Sequence, residues 1–188
     1  MRTEDKIHIV KSARKSIAIE IKPDFSIIVR IPRYVSKARA LRFVEEQSEW
    51  IARNINRMKS EKKNLDMLPK LTDLEHRILR EKAKTYLPVR VAYYATKLGV
   101  SYGRITIRCQ KTRWGSCSSK GNLNFNYLLM LTPPEVIDYV VVHELCHRLE
   151  MNHSGKFWKL VESVNKDYRE HRAYLKKHGA ALMRRAGY

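Results

Sequence analysis

The stretch His143-Glu144-Leu145-Cys146-His147 decides how this chain is read. Residues four apart on a helix share a face, about 40° off register, so two imidazoles from one helix can hold one metal ion. Glu144 points about 100° away from His143, where it reaches a water at the metal rather than the metal itself. The pentapeptide alone is a frequent chance match, so its surroundings carry the weight. Around it, Val136, Ile137, Val140, Val141, Leu145 and Leu149 make the helix apolar over most of its circumference, which predicts burial. Thr132 and Glu135 stand three apart as a capping box, with Pro133 and Pro134 suited to a first turn. Histidine and glutamate are costly in such a helix unless something partners them, and a metal would. Zn²⁺ is the first choice, because imidazole suits it and no redox chemistry is signalled.

A catalytic metal needs a third protein ligand and an open position. His153 follows His147 by six residues, and Asn152 can reverse the chain to bring it back over the metal. This spacing equals that of metzincins, but Glu150 stands where they have glycine. Glu162, Glu170 and His171 on the next helix are rival third ligands. Arg113, Tyr127, His171 and Tyr174 are candidates for stabilising an oxyanion.

Working outward, Ile17, Ile19 and Ile21 alternate with Ala18, Glu20 and Lys22, and Ile27, Val29 and Ile31 with Ile28, Arg30 and Pro32, with Pro23-Asp24 between them: a β-hairpin. Ile7 and Ile9 suggest a further strand. Ser36 is placed to cap a helix to about Lys59, and the polar residues 60–70 read as a linker. Thr72 and Gly99 bracket a long helix over 73–98 in which Pro88 predicts a kink or break. Ile105 and Ile107 begin a strand. Residues 111–121 read as a loop, and 123–131 as a strand that could present an edge to an extended substrate. Ser154 caps a helix carrying Phe157, Trp158, Leu160, Val161 and Val164. A basic tail follows, helical to about Lys177 and frayed beyond. Trp114 reads as a core residue, since tryptophan usually packs.

Composition bounds the rest. The chain has 188 residues, 44% of them hydrophobic, enough for a packed core. The charged start shows no signal peptide, and no apolar run is long enough to span a bilayer. A cytoplasmic location without membrane partners is expected by elimination. Cys109, Cys117 and Cys146 form no C-x-x-C pair and read as small buried thiols in a reducing compartment. The net charge is +19, and residues 76–131 carry eleven Lys and Arg against the single acid Glu81. Such a field favours acidic partners, nucleic acid or nucleotides among them.

Several linked motifs carry a resemblance. His143-Glu144-Leu145-Cys146-His147, Asn152-His153-Ser154, Phe157-Trp158, Arg113-Trp114-Gly115-Ser116-Cys117, Gly121-Asn122-Leu123, Ile137-Asp138-Tyr139-Val140-Val141 and Arg14-Lys15-Ser16-Ile17 together resemble the YgjP-like zinc metallopeptidase family. The chain is similar also to SprT-like domains. The resemblance implies zinc held by His143, His147 and His153, with Glu144 catalytic. The expected fold is α+β: a gluzincin- or zincin-like catalytic domain over 69–188, with a small antiparallel sheet packed on helices. A β-hairpin plus helix over 1–68 precedes it. The chemistry implied is metal-assisted hydrolysis of a peptide or protein, with Glu144 taking a proton from water. Hydrolysis of a nucleotide phosphoanhydride competes, although no glycine-rich phosphate loop is present. A basic nucleic-acid-binding module with structural zinc also competes, although a closed structural site has no use for Glu144.

Overall fold

The structure is a computed structural model that describes residues 7–187. The charged residues 1–6 and the terminal Tyr188 lie outside the described residues. The chain divides into two compact units, Met1–Met67 and Leu68–Tyr188.

In the first unit, β1 (Ile7–Ser12), β2 (Ala18–Ile21) and β3 (Ile27–Pro32) form one sheet in the order β1-β3-β2. The expected hairpin is present, with Ile19 opposite Val29 and Ile21 opposite Ile27. β1 joins it in parallel on the other side of β3. Ile27, Val29 and Ile31 alternate onto one buried face, as a two-residue period requires. They pack with Ala40, Val44 and Ile51. Those last residues come from two helices, α1 (Lys37–Glu46) and α2 (Ser48–Asp66), where the sequence suggested one. Ser36 caps α1 by accepting from the Arg39 N–H. The chain breaks step at Gln47, whose N–H is shared between the Phe43 and Val44 carbonyls. Residues 60–66 are helix, not linker. They lack Gly and Pro, and Arg57 pairs with Glu61 one turn on.

The second unit opens with α3 (Asp73–Leu98). Thr72 and Glu75 close a full capping box, and Gly99 ends the helix at φ 65°. α3 runs unbroken through Pro88. The carbonyl left without a donor is that of Lys84, on an exposed turn where water can take the place of the missing N–H. The sheet is mixed rather than wholly antiparallel. β4 (Ile105–Arg108) pairs in parallel with β6 (Leu123–Asn126), and β5 (Gly115–Cys117) lies antiparallel on the other side of β6. Two readings are thereby corrected. Residues 111–121 are not all loop, and the strand at 123 stops at Asn126, giving way to a 3₁₀ turn over Tyr127–Leu131. Asn126 enforces the change, because its side-chain oxygen accepts from the Leu128 N–H. β6 is also the central strand, so the sheet's edges belong to β4 and β5, of which β5 packs against α4.

α4 (Pro134–Cys146) packs against α3, β5, α5 (Gly155–Val164) and α6 (Tyr168–Arg185). Val136, Ile137, Tyr139, Val140, Val141, Val142, Leu145 and Cys146 are all buried in it. The capping box at Thr132 does not form. Thr132 instead donates its hydroxyl to the Leu129 carbonyl, closing the preceding turn, and Pro133 takes the cap position without a side-chain bond. α4 ends at Cys146, and Leu149 is exposed rather than buried. Ser154 caps α5 as expected. α6 continues to Arg185, well beyond Lys177. Its far end is anchored: the Arg185 carbonyl accepts from the Leu71 N–H, and Met183 is buried. No helix among the described residues is long and apolar enough to cross a membrane.

Candidate metal centre

α4 delivers His143 and Glu144 from its last turn, and His147 from the position just after it. The chain then turns through 148–152, and Ser154 restarts it as α5, which places His153 at the junction. His143, His147 and His153 each bring a ligand atom to within 4.8 Å of the others. The Nε2 atoms of His143 and His153 lie 3.0 Å apart. Two nitrogens on a tetrahedral zinc are separated by about 3.3 Å, from Zn–N bonds of about 2.0–2.1 Å, so the His143–His153 pair has close to the spacing of two zinc ligands. Glu162, Glu170 and His171 are not part of the group. Glu162 pairs with Arg169, and His171 bonds to Asn165.

Each imidazole is held differently. His147 Nδ1 lies 3.2 Å from the Glu150 carbonyl, which can accept only if Nδ1 carries the proton; Nε2 is then a free lone pair. His143 is wedged among His147, His153 and the edge of Phe157, with ring centroids 4.9–5.1 Å apart. Its Nδ1 is buried with no hydrogen-bond partner. Burial first, then the neighbouring His147, His153 and Arg172, pushes its pKa down to about 3. Burial likewise lowers that of His147, against the pull of the Glu150 carbonyl. Both are neutral at physiological pH, the form that binds a metal. His153 is exposed and stacks on Trp158, centroids 5.7 Å apart at 26°.

Glu144 is 6% exposed. Burial lifts its pKa to about 8, and Arg113 pulls the other way. It lies against Gly115 of β5, so closely that a Cβ there would sit 2.7 Å from Glu144 Cγ and Oε1. Only glycine lets the strand approach the carboxylate this far.

A cleft of about 280 Å³ opens over these groups, lined by Arg113, β5, Met151, the three histidines and Glu144. A larger, apolar hollow of about 1050 Å³ beside α3 contains none of the histidines, so chemistry rather than size marks the site. Of the oxyanion candidates, Arg113 lines the cleft. Tyr127 does not: it is buried, with its hydroxyl 2.8 Å from His76 Nδ1. Tyr174 lies beside His178 instead. Trp114 packs at the margin of the core, as expected. Cys109 and Cys117 are half-buried, and Cys146 is fully buried, its thiol pushed up to about 12. The lining by Gly115, Ser116 and Cys117 escaped the reading of that segment as loop; the only signal was the Arg113–Cys117 motif itself.

A match to a family model marks the chain as a metallopeptidase-type hydrolase. A family model described as the YgjP-like metallopeptidase domain matches residues 15–72 and 68–178, and the chain belongs to that family. None of the curated proteins is significantly similar to it. Among solved structures it is similar to the metallopeptidase zymogens abylysin of Pyrococcus abyssi and jannalysin of Methanocaldococcus jannaschii. The first is 24% identical with a TM-score of 0.43, over 48% of this chain and 92% of that one. The second is 21% identical with a TM-score of 0.43, over 48% and 93%.

Proposed function

We propose that this chain is a zinc-dependent peptidase in which His143, His147 and His153 hold the metal and Glu144 is the general base. The observation that carries this reading is the convergence of three imidazole ligand atoms within 4.8 Å beside a buried carboxylate. Zinc held there would act as a Lewis acid and lower the pKa of water to roughly 7. The protein's own contribution is to position and to move a proton. Glu144, held against Gly115, accepts a proton from water in its carboxylate form and can return it to a leaving amine. Arg113 supplies a positive charge at the mouth of the cleft. β5 runs along the cleft as an edge strand, so an extended peptide finds backbone groups to pair with. That geometry favours a peptide over a compact substrate.

The test is zinc content by elemental analysis of wild type, His153→Ala and Glu144→Gln, followed by cleavage of a peptide library. About one zinc per chain in wild type, clearly less in His153→Ala, and a zinc-loaded but inactive Glu144→Gln are the expected results. Wild type without zinc after careful preparation would end this reading. Full retention in His153→Ala would move the third ligand elsewhere.

A further inference from the structure

α3 is apolar on two faces, and the core covers one of them. Leu79, Ala83, Leu87, Val91, Tyr94 and Ala95 are buried. On the opposite side Leu74, Ile78, Val89 and Tyr93 are 45–65% exposed. At about 100° per residue these four fall within an arc of about 100° and form one stripe about 28 Å long. A helix with apolar residues all round is ordinarily buried, so this second face calls for a cover. Ile78 and Val89 also line the apolar hollow of about 1050 Å³, whose other wall includes Met130, Pro134 and Ile137. The cover must therefore be long, straight and apolar along one side, which is the shape of another helix lying in a groove.

The stripe is its own complement. Leu74 and Tyr93 are equidistant from a centre between Ala83 and Lys84, and so are Ile78 and Val89, and Lys82 and Thr85. When two copies of one helix pair antiparallel about a two-fold axis at that centre, each of these residues faces its counterpart on the other copy. Leu74 then meets Tyr93, Ile78 meets Val89, and Lys82 meets the neutral Thr85 rather than another charge. Arg77 meets Arg90, but Asp138 already holds Arg90 in two hydrogen bonds, so two bare guanidinium groups are not opposed.

We infer that this chain forms a two-fold symmetric homodimer in which the outer face of α3 packs antiparallel on the same face of a second copy. Burial of the two stripes supplies the driving force. The interface is about one helix wide, at the small end for stable dimers, so Kd is about micromolar. Each copy carries a net charge of +19, and salt screens that repulsion without weakening apolar burial, so the dimer tightens as salt rises.

Sedimentation velocity of the full chain from about 1 to about 200 µM, a range that brackets such a Kd, is the test. The weight-average mass should rise from the 22.2 kDa of one chain toward twice that value. Ile78→Lys and Val89→Glu should each weaken the dimer by at least about tenfold, because a charge meets an apolar side chain in both halves of the symmetric contact. The double variant Ile78→Lys/Val89→Glu should dimerise more tightly than either single variant, since each new Lys then faces a Glu of the other copy. Positions 78 and 89 are about 16 Å apart along one helix, so that recovery cannot arise within a single chain. Both native side chains are exposed, so the fold is retained, which circular dichroism checks. A wild type that stays monomeric throughout would overturn the inference and leave the stripe to a different protein. So would a dimer that Val89→Glu leaves as tight as wild type. A double variant no tighter than the single ones would also overturn it, because the antiparallel register would then be wrong.

Discussion

Replacing Arg90 by Ala should destabilise the second unit by about 2–3 kcal/mol. Arg90 reaches from α3 to Asp138 of α4 with two bonds, Nε to Oδ1 at 2.6 Å and Nη2 to Oδ2 at 2.7 Å. The Tyr94 hydroxyl donates to the same carboxylate at 3.1 Å. The Arg90 and Asp138 side chains are 27% and 15% exposed. Removing one partner of a fully buried pair costs about 3–5 kcal/mol, because the other charge is left desolvated; partial exposure lowers that figure here. Unfolding entropy near about 2.1 cal/mol/K per residue gives roughly 0.25 kcal/mol/K for a unit of roughly 120 residues, so Tm should drop by about 10 °C. The assay is thermal unfolding with metal chelated, so that ligand binding does not add its own stabilisation. Tryptophan emission is a suitable probe, since Trp114 and Trp158 belong to this unit and Trp50 to the other. The double variant Arg90→Met/Asp138→Leu should recover much of the loss, because no stranded charge remains. A drop of less than about 2 °C in Arg90→Ala would refute the claim that this pair joins α3 to α4 energetically.

Further predictions concern the site. Gly115→Ala forces its Cβ against Glu144, so it should cut hydrolysis by at least about a hundredfold while zinc content stays near that of wild type. Loss of zinc in that variant would show that the strand supports the ligands rather than the base. Trp158→Ala removes the ring on which His153 stacks, and metal affinity measured by chelator competition should fall about three- to tenfold, with Trp158→Phe restoring most of it. In the metal-free protein, Glu144 binds its proton more tightly folded, with a pKa of about 8, than at its ordinary 4.5. Its contribution to stability is fully present below pH 4.5 and is lost as pH rises through 8. Glu144→Gln should therefore flatten the decline in urea-unfolding stability between pH 5 and pH 8, and a decline identical to wild type would contradict the burial seen for this carboxylate.

Much of the architecture is written locally. Thr72, Glu75 and Gly99 delimit α3 because caps satisfy backbone groups within a few residues of themselves, and Ser36 and Ser154 start their helices for the same reason. The alternation of Ile19, Ile21, Ile27, Val29 and Ile31 sets a hairpin, since a two-residue period has one buried face. The spacing of His143, Glu144 and His147 fixes their shared direction through helix geometry alone, and the three-histidine group contains the residues that the motif pointed to. Other features depended on competition between partners distant in sequence. Thr132 could cap α4 or bond to Leu129, and packing of the 3₁₀ turn decided for Leu129. The apolar run 127–131 reads as a continuation of the strand, but Asn126 bonds at once to Gln110, Arg113 and Leu128, and that junction ends β6. α6 outruns its amphipathic signal because the N–H of Leu71, far away in the chain, donates to the Arg185 carbonyl at its end. What the amino-acid sequence determined by itself is thus the metal motif, the long capped helices and the hairpin, all governed by neighbours within about one turn or one strand pair. The tertiary structure alone decided which strand borders the cleft, how His153 returns to His143, and that Gly115 meets Glu144, because each is a contact across the fold whose geometry no local period encodes.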